Sequence, residues 1–152
     1  MRTSKARIRP LEANEWSDSA RESMQPFVDA KSDFNIFKTL TNQPELMRRW
    51  MVFANHVLFK SSLPFRAKEL LILRIGYLCK AWDEWGQHVQ VARKGGVSDD
   101  DVSLAKTGAE TPGISEVDLL LLTAVYELHS DAFISDSTWQ SLSKHFDTQQ
   151  MM

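Results

Sequence analysis

The sequence predicts an all-α protein, with one domain over residues 1–152 folded as a bundle of about seven helices. Apolar residues recur at helical spacing along most of the chain, and no segment shows the strict alternation of a half-buried strand. Serine or proline precedes several of these segments, as is common at the start of a helix. A chain of 152 residues is long enough to bury a hydrophobic core without disulfide or metal cross-links.

The N-terminal part of the chain is predicted to contain an extended start followed by three helical segments. Residues 1–16 are largely polar and are expected to be extended. A first helix is expected from about Ser17 to Lys31, and the apolar spacing within 34–40 indicates a short helical turn. Pro44 is expected in the first turn of a strong amphipathic helix, with Asn42 as its cap.

The segment that follows Pro64 is the most apolar helix of the chain. It is hydrophobic on nearly every side, which is typical of a helix in the middle of a bundle. Glu69 and Arg74 are its conspicuous polar exceptions.

Glycine and serine mark the remaining helices. The glycine pair at 95–96 is expected to end a helix that starts near Ala81. Ser98, Ser115 and Ser135 are expected to cap the next three helices. The C-terminal residues carry no stop signal, so we expect the last helix to be truncated.

Composition excludes several classes of protein. The net charge is −2 and no basic block is present, so nucleic acid is not an expected partner. The longest apolar run contains Asp118 and is too short to span a bilayer, so no membrane association is expected. The single cysteine, Cys79, and the lack of a signal peptide indicate a cytoplasmic protein.

Glu84 and His88 are the first candidates for chemistry. They are four residues apart on a predicted helix, so their side chains share a face and can touch. A carboxylate beside an imidazole can raise its pKa or fix its tautomer, and either effect assists general acid–base catalysis. The alternative is an ordinary surface pair that contributes about 0.2–0.5 kcal/mol to helix stability.

Glu69 and Arg74 are two further candidates, each with a functional and a structural interpretation. Burying Glu69 in an apolar segment is unfavourable unless it is paired or protonated, yet it could also lie in the first helical turn and point to water. Arg74 can neutralise Glu69, hold a substrate carboxylate, or form a structural ion pair.

Trp82 and Trp85 flank Glu84 and could wall an apolar substrate pocket, although aromatic residues at such spacing more often belong to a core or an interface. The other histidines, His56, His129 and His145, show no metal-ligand spacing. No phosphate-binding glycine loop or nucleophile elbow is present, so neither a metal nor a cofactor is expected.

Four segments together resemble the carboxymuconolactone decarboxylase and alkylhydroperoxidase-D-like superfamily. They are FKTLTNQPELMRRWMVFANHVL, LPFRAKELLILRIGYL, EWGQHVQVARKGGVSDDDV and SEVDLLLLTAVYELHSDAFISDSTWQSL; the first begins at Phe37, and the last includes Trp139 and ends at Leu142. The resemblance implies an alkylhydroperoxidase-D-like helical fold and a homo-oligomer, often a trimer or hexamer.

The resemblance also assigns positions of the superfamily's proton relay. By spacing, Glu69 matches the relay glutamate and His88 the relay histidine, whereas the two cysteine positions fall on Ala81 and Glu84. Thiol–disulfide chemistry needs an attacking and a resolving sulfur, so a peroxidase is not expected.

The decarboxylase branch implies a cofactor-free lyase, or an isomerase, that acts on a small carboxylated lactone or related carbonyl acid. His88 would act as acid–base, Glu84 as its orienting partner or a second acid, and Glu69 as the relay or pocket acid. Arg74, Trp82 and Trp85 would bind the substrate. Two alternatives remain open at this point: a non-catalytic oligomeric scaffold and a small-molecule binding protein of the same fold.

Overall fold

The computed structural model describes residues 5–152, and within this range the chain forms nine α-helices and no β-strand. The all-α prediction is confirmed. The helix count exceeds the predicted seven because two of the helices are very short. The described residues divide into two compact units, of which the first ends at Ser61 and the second is Ser62–Met152. The single-domain assignment stays a prediction, and the first four residues of the predicted extended segment lie outside the described range.

The N-terminal unit contains three α-helices, a π-helical turn and a short 3-10 helix at Ala13–Glu15. The prediction that residues 1–16 are extended is therefore wrong at this turn. The helices are α1 (Asp18–Asp29), α2 (Asn35–Leu40) and α3 (Pro44–Asn55), and the π-helical turn is His56–Lys60. Helix α3 contacts both α1 and α2. A small core fills the unit and consists of Trp16, Ala20, Met24, Phe37 and Met47.

Of the two predictions for the start of α3, the position of Pro44 is confirmed and the capping role of Asn42 is wrong. Pro44 is the first residue of α3, as predicted, but the N-cap is Gln43 and it makes no side-chain capping bond. The Asn42 amide instead donates to the backbone carbonyls of Arg9 and Thr39, at 3.0 Å each. Asn42 therefore ties the preceding turn to the N-terminal segment rather than capping the helix.

The C-terminal unit contains the other six helices. They are α4 (Phe65–Leu78), α5 (Trp82–Lys94), α6 (Asp99–Thr107), α7 (Glu116–Asp131), α8 (Asp136–Leu142) and α9 (Thr148–Met151). Helix α4 contacts α5, α6 and α7, as expected for the most apolar segment. Its residues Leu70 and Leu73 are almost fully buried, together with Leu122 of α7.

Predicted helix boundaries in this unit are mostly confirmed. Ser98, Ser115 and Ser135 each accept a hydrogen bond from the backbone N–H three residues ahead. The last predicted helix is interrupted, because α8 ends at Leu142 and Asp147 caps the separate helix α9.

The glycine pair after α5 ends that helix, as predicted. Helix α5 ends at Lys94, and Gly96 has a φ of +86°, which a residue with a side chain rarely adopts. Gly95 lies against the ring of Phe65, and a Cβ at this position would overlap the ring. The pair therefore stops α5 and also allows its end to approach the start of α4.

Arg66 joins the first turns of three helices. Its guanidinium donates to Asp118 Oδ1 at 2.7 Å and to Oδ2 at 3.1 Å, and also to Asp101 Oδ1. The pKa of the Asp118 carboxyl is held below its ordinary value by these hydrogen bonds. A cation in the first turn of α4 opposes the helix dipole, so the two carboxylates of α6 and α7 offset an otherwise unfavourable placement.

No helix in the described part of the chain is both long enough and apolar enough to cross a membrane.

We expect Arg66→Met to lower the free energy of unfolding by about 1–3 kcal/mol, because the buried Asp118 carboxylate then keeps only the hydrogen bond from the Ser115 hydroxyl. The matched control is Arg93→Met, which removes an ion pair to Asp99 whose side chains are 56% and 75% exposed. This control should cost less than about 1 kcal/mol. Urea denaturation of both variants tests the difference, and equal losses would contradict the role given to Arg66.

Candidate active site

Glu69 lies in the first half of α4 and is only 2% exposed. Its Oε2 is 2.8 Å from Nδ1 of His88 on α5, and the His88 side chain is 13% exposed. The alternative in which Glu69 points to water is therefore wrong. Because α4 packs on α5, the buried carboxylate of Glu69 lies directly beside the imidazole of His88. This pairing offsets the desolvation of both groups.

The second ring nitrogen of His88 faces another carboxylate. Nε2 is 3.2 Å from Oε1 of Glu84, one helical turn earlier on α5. Glu84 is different from Glu69 in its exposure, because 41% of its side chain is accessible to solvent. The structure thus brings together the three residues predicted as catalytic, with His88 in the middle, one carboxylate buried and the other at the surface.

This arrangement favours the protonated form of His88. A neutral imidazole has one N–H, whereas an imidazolium can donate from both nitrogens to the two carboxylates. Burial opposes the charged form, but the carboxylates of Glu69 and Glu84 outweigh it and raise the pKa of His88 to about 9. The contact with His88 also lowers the pKa of Glu84, against the effect of burial. The raised pKa favours the imidazolium, which is an acid, over the neutral ring at neutral pH.

Arg74 is placed away from this cluster. Its guanidinium donates to the backbone carbonyls of Ala105 and Lys106 at the C-terminal end of α6, at 3.3 and 3.1 Å. Gly108 has a φ of +84° and packs directly on the guanidinium, leaving no room for a Cβ. A cation suits the negative end of the helix dipole, so this position gives Arg74 a structural role. Its predicted role in substrate binding stays a prediction.

Trp82 and Trp85 pack on a residue that the sequence analysis did not single out. The ring of Tyr77 is 5.7 Å from Trp82 in an edge-on arrangement and 5.5 Å from Trp85. Trp82 remains 45% exposed, whereas Trp85 is half-buried and packs against the core of the unit. The aromatic cluster thus braces the turn between α4 and α5, next to Glu84, and its predicted contact with substrate stays a prediction.

A cavity of about 350 Å³ lies elsewhere in the C-terminal unit. Aliphatic side chains of α4 and α7 line it, together with Phe146 and Met151, and Gln150 is its one polar residue. Neither His88 nor the two glutamates reach it. No titratable group lines the cavity, so its lining supplies neither an acid nor a base.

No metal site accompanies the cluster in the part of the chain that the structure describes. No group of three or more His, Cys, Asp or Glu side chains between residues 5 and 152 is arranged to hold a metal ion. The remaining histidines, His56, His129 and His145, are exposed. His88 has a carboxylate at each ring nitrogen, an arrangement that directs the two carboxylates to opposite sides of the ring rather than toward one shared ligand.

The sequence model of the carboxymuconolactone decarboxylase family matches residues 44–123, just over half of the chain. The matched range includes Glu69, Glu84 and His88. The chain belongs to the carboxymuconolactone decarboxylase family. No curated protein and no solved structure matches it. Membership supports a decarboxylase-like or alkylhydroperoxidase-D-like activity and agrees with the all-α fold.

This member of the carboxymuconolactone decarboxylase family lacks a redox pair beside its histidine. Ala81 is the N-cap of α5 and Glu84 contacts His88, at the two positions where the peroxidase branch carries cysteines. Cys79 is exposed at the end of α4 and is the only cysteine. Glu84 thus places a carboxylate where the peroxidase branch has a thiol.

Sequence reasoning missed Arg66 and Tyr77. Arg66 gave a usable signal, because a cation in a first helical turn opposes the dipole and usually has a specific partner. Tyr77 gave no comparable signal, since its contacts with the tryptophans depend on how α4 turns into α5.

The raised pKa of His88 makes stability depend on pH. A histidine whose pKa is higher in the folded state stabilises the fold fully below its unfolded value and loses that effect as pH rises. The stabilisation by His88 is thus expected to be complete below about pH 6.5 and to disappear as pH rises through about 9. The lowered pKa of Glu84 adds a smaller loss as pH falls below about 4.5.

Unfolding free energies measured from pH 5 to 10 test this expectation. Wild type should lose about 1–3 kcal/mol more than His88→Gln over the alkaline part of the range. The control is His129→Gln, which removes an exposed histidine and should follow the wild-type profile. Parallel profiles for wild type and His88→Gln would show that the imidazole is not held in its charged form.

Proposed function

We propose that the chain is a cofactor-free lyase that removes CO2 from a small carboxylated lactone or a related carbonyl acid. The proposal rests on the position of His88 between two carboxylates. Nδ1 is 2.8 Å from the buried carboxylate of Glu69, and Nε2 is 3.2 Å from the partly exposed carboxylate of Glu84. An isomerase of the same substrates was the other reaction inferred from the sequence. It is less well supported, because isomerisation begins with removal of a proton from carbon and a charged His88 is not a base.

Decarboxylation requires a positive charge near the developing enolate and a proton for the carbon, and a charged His88 can supply both. The bond between the ring carbon and the carboxylate breaks, CO2 leaves, and the electron pair moves into the lactone carbonyl to form an enolate. The imidazolium stabilises the developing negative charge and then gives its Nε2 proton to the carbon. The reaction consumes one proton, which water returns to His88, so no other co-reactant is needed.

The two carboxylates have different roles in this proposal. Glu69 contacts Nδ1 and is almost fully buried, so it orients the ring and keeps it protonated. Glu84 contacts Nε2, the nitrogen that reaches substrate, and it adds to the charge that holds the proton. This assignment exchanges the roles inferred from the sequence, in which Glu84 was the orienting partner and Glu69 the relay or pocket acid.

A scaffold or a simple binding protein explains the cluster less well. Burial of a carboxylate and an imidazole is unfavourable relative to apolar residues unless the pair is well arranged, and it serves a scaffold little. A peroxidase is disfavoured because Ala81 and Glu84 replace the thiols. A homo-oligomer and a cytoplasmic location are part of the proposal and rest on the family resemblance and on the sequence.

Turnover of a panel of carboxylated butenolides and related keto acids tests the proposed reaction. We expect His88→Gln to lower kcat/KM by about 100-fold or more, because loss of a general acid typically costs that much. His129→Gln is the matched control and should behave as wild type. Wild-type activity should fall as pH rises through about 9, where His88 loses its proton. Undiminished turnover in a variant that lacks both Glu84 and His88 would overturn the proposal.

Cys79→Ser separates the lyase from a residual peroxidase. The thiol is exposed and solitary, so we expect this variant to keep full lyase activity and its folded circular dichroism spectrum. Reduction of hydrogen peroxide coupled to a dithiol donor should be absent from both proteins. Peroxide reduction that disappears in Cys79→Ser would instead support the peroxidase.

A further inference from the structure

We propose that Glu84 is a displaceable internal ligand of His88, and that the carboxylate of the substrate takes its place at Nε2. This inference rests on the proposed function, and it assigns the anion-binding position of the same site. It also makes Glu84 a positioning residue whose carboxylate competes with the substrate in the free enzyme.

The two contacts of His88 differ in how easily they can be broken. Glu69 projects from the first half of α4, is 2% exposed and lies 2.8 Å from Nδ1. Glu84 lies in the first turn of α5, is 41% exposed and makes the longer contact of 3.2 Å. Glu84 can rotate into water at little energetic cost, whereas the loss of Glu69 would leave the inner nitrogen of a largely buried imidazolium facing an apolar interior.

The same difference decides where a ligand reaches the ring. Glu69 occupies the buried nitrogen, so a substrate in contact with His88 must approach from the side of Nε2. In the free protein the Glu84 carboxylate already lies in front of Nε2, as an ion-pair contact at 3.2 Å. A substrate that bonds to His88 therefore replaces Glu84, and cannot simply be added to it.

Charge selects the group that can make this exchange. His88 in its protonated form lies between two carboxylates in the free protein. An incoming carboxylate preserves one negative charge at each nitrogen, whereas a neutral amide or alcohol leaves the imidazolium with a single counter-charge. The site therefore favours a substrate with a free carboxylate. After CO2 leaves, the carbon that carried it lies beside the same N–H and receives its proton.

Acetate is the simplest probe of this position. The resonances of His88 are assigned by comparison with His88→Gln, and their shifts are followed during acetate titration at pH 7 and constant ionic strength. We expect Glu84→Ala to bind acetate roughly threefold to tenfold more tightly than wild type, since the competing contact to a largely buried imidazolium is stronger than an open surface pair. Acetamide, which is neutral, should show no such gain.

Asp83→Ala is the matched control for charge. Asp83 lies in the same turn of α5, and its carboxylate accepts a hydrogen bond from Gln87. Its removal subtracts the same charge and breaks the hydrogen bond to Gln87 instead of the contact to Nε2, so we expect the acetate affinity to change by less than about twofold, because screening weakens the longer-range effect. Thermal melts establish that all variants are folded.

The outcomes are decisive in both directions. Tighter acetate binding in Glu84→Ala but not in Asp83→Ala supports the displacement of Glu84 by a carboxylate ligand. Equal gains in Glu84→Ala and Asp83→Ala, an unchanged affinity in Glu84→Ala, or no saturable shift of His88 in any protein would each overturn it. The titration involves no turnover, so its result is separate from that of the lyase assay. Acetate exchange without turnover of any lactone acid refutes the lyase, and turnover without exchange refutes only the displacement of Glu84.

Discussion

The hydrogen bond between Glu69 and His88 is the interaction on which the candidate site depends. It joins α4, the helix that contacts most of the C-terminal unit, to α5, and it is buried at Glu69 and largely buried at His88. A carboxylate buried on an apolar helix requires a partner, and removing either member leaves an uncompensated polar group inside the protein. The bond therefore fixes how α5 lies on α4, and this in turn sets the direction in which Nε2 faces.

Helix starts were the most predictable part of the fold because their chemistry is local. Ser98, Ser115 and Ser135 cap their helices through bonds that span three residues, so the sequence contains all the participants. Asn42 shows the limit of the same reasoning. Its amide is used by the N-terminal segment, at a carbonyl 33 residues away, and no local pattern could reveal that competitor.

The site divides in the same way. The contact of Glu84 with His88 follows from a spacing of four on one helix, and was predictable from that spacing alone. The contact of Glu69 with His88 joins two helices and depends on burial, which the residues alone left undecided between two alternatives. Resemblance to a family named both residues but did not give their burial. The position of Arg74 could not be predicted from the sequence, because its partners are backbone carbonyls, which no pattern of side chains reveals.

The presence of two carboxylates on one imidazole is hard to explain by stability alone. Glu69 by itself would neutralise a protonated His88, so the second carboxylate is not needed to balance its charge. Glu84 nevertheless faces the ring nitrogen that Glu69 leaves open, and the two acids together hold a proton on His88 well above neutral pH. In an enzyme that uses its histidine as a base, the second carboxylate would be a disadvantage, because it keeps the imidazole protonated. An enzyme that must keep its imidazolium protonated until CO2 has left is helped by the second carboxylate, provided that this carboxylate can move aside.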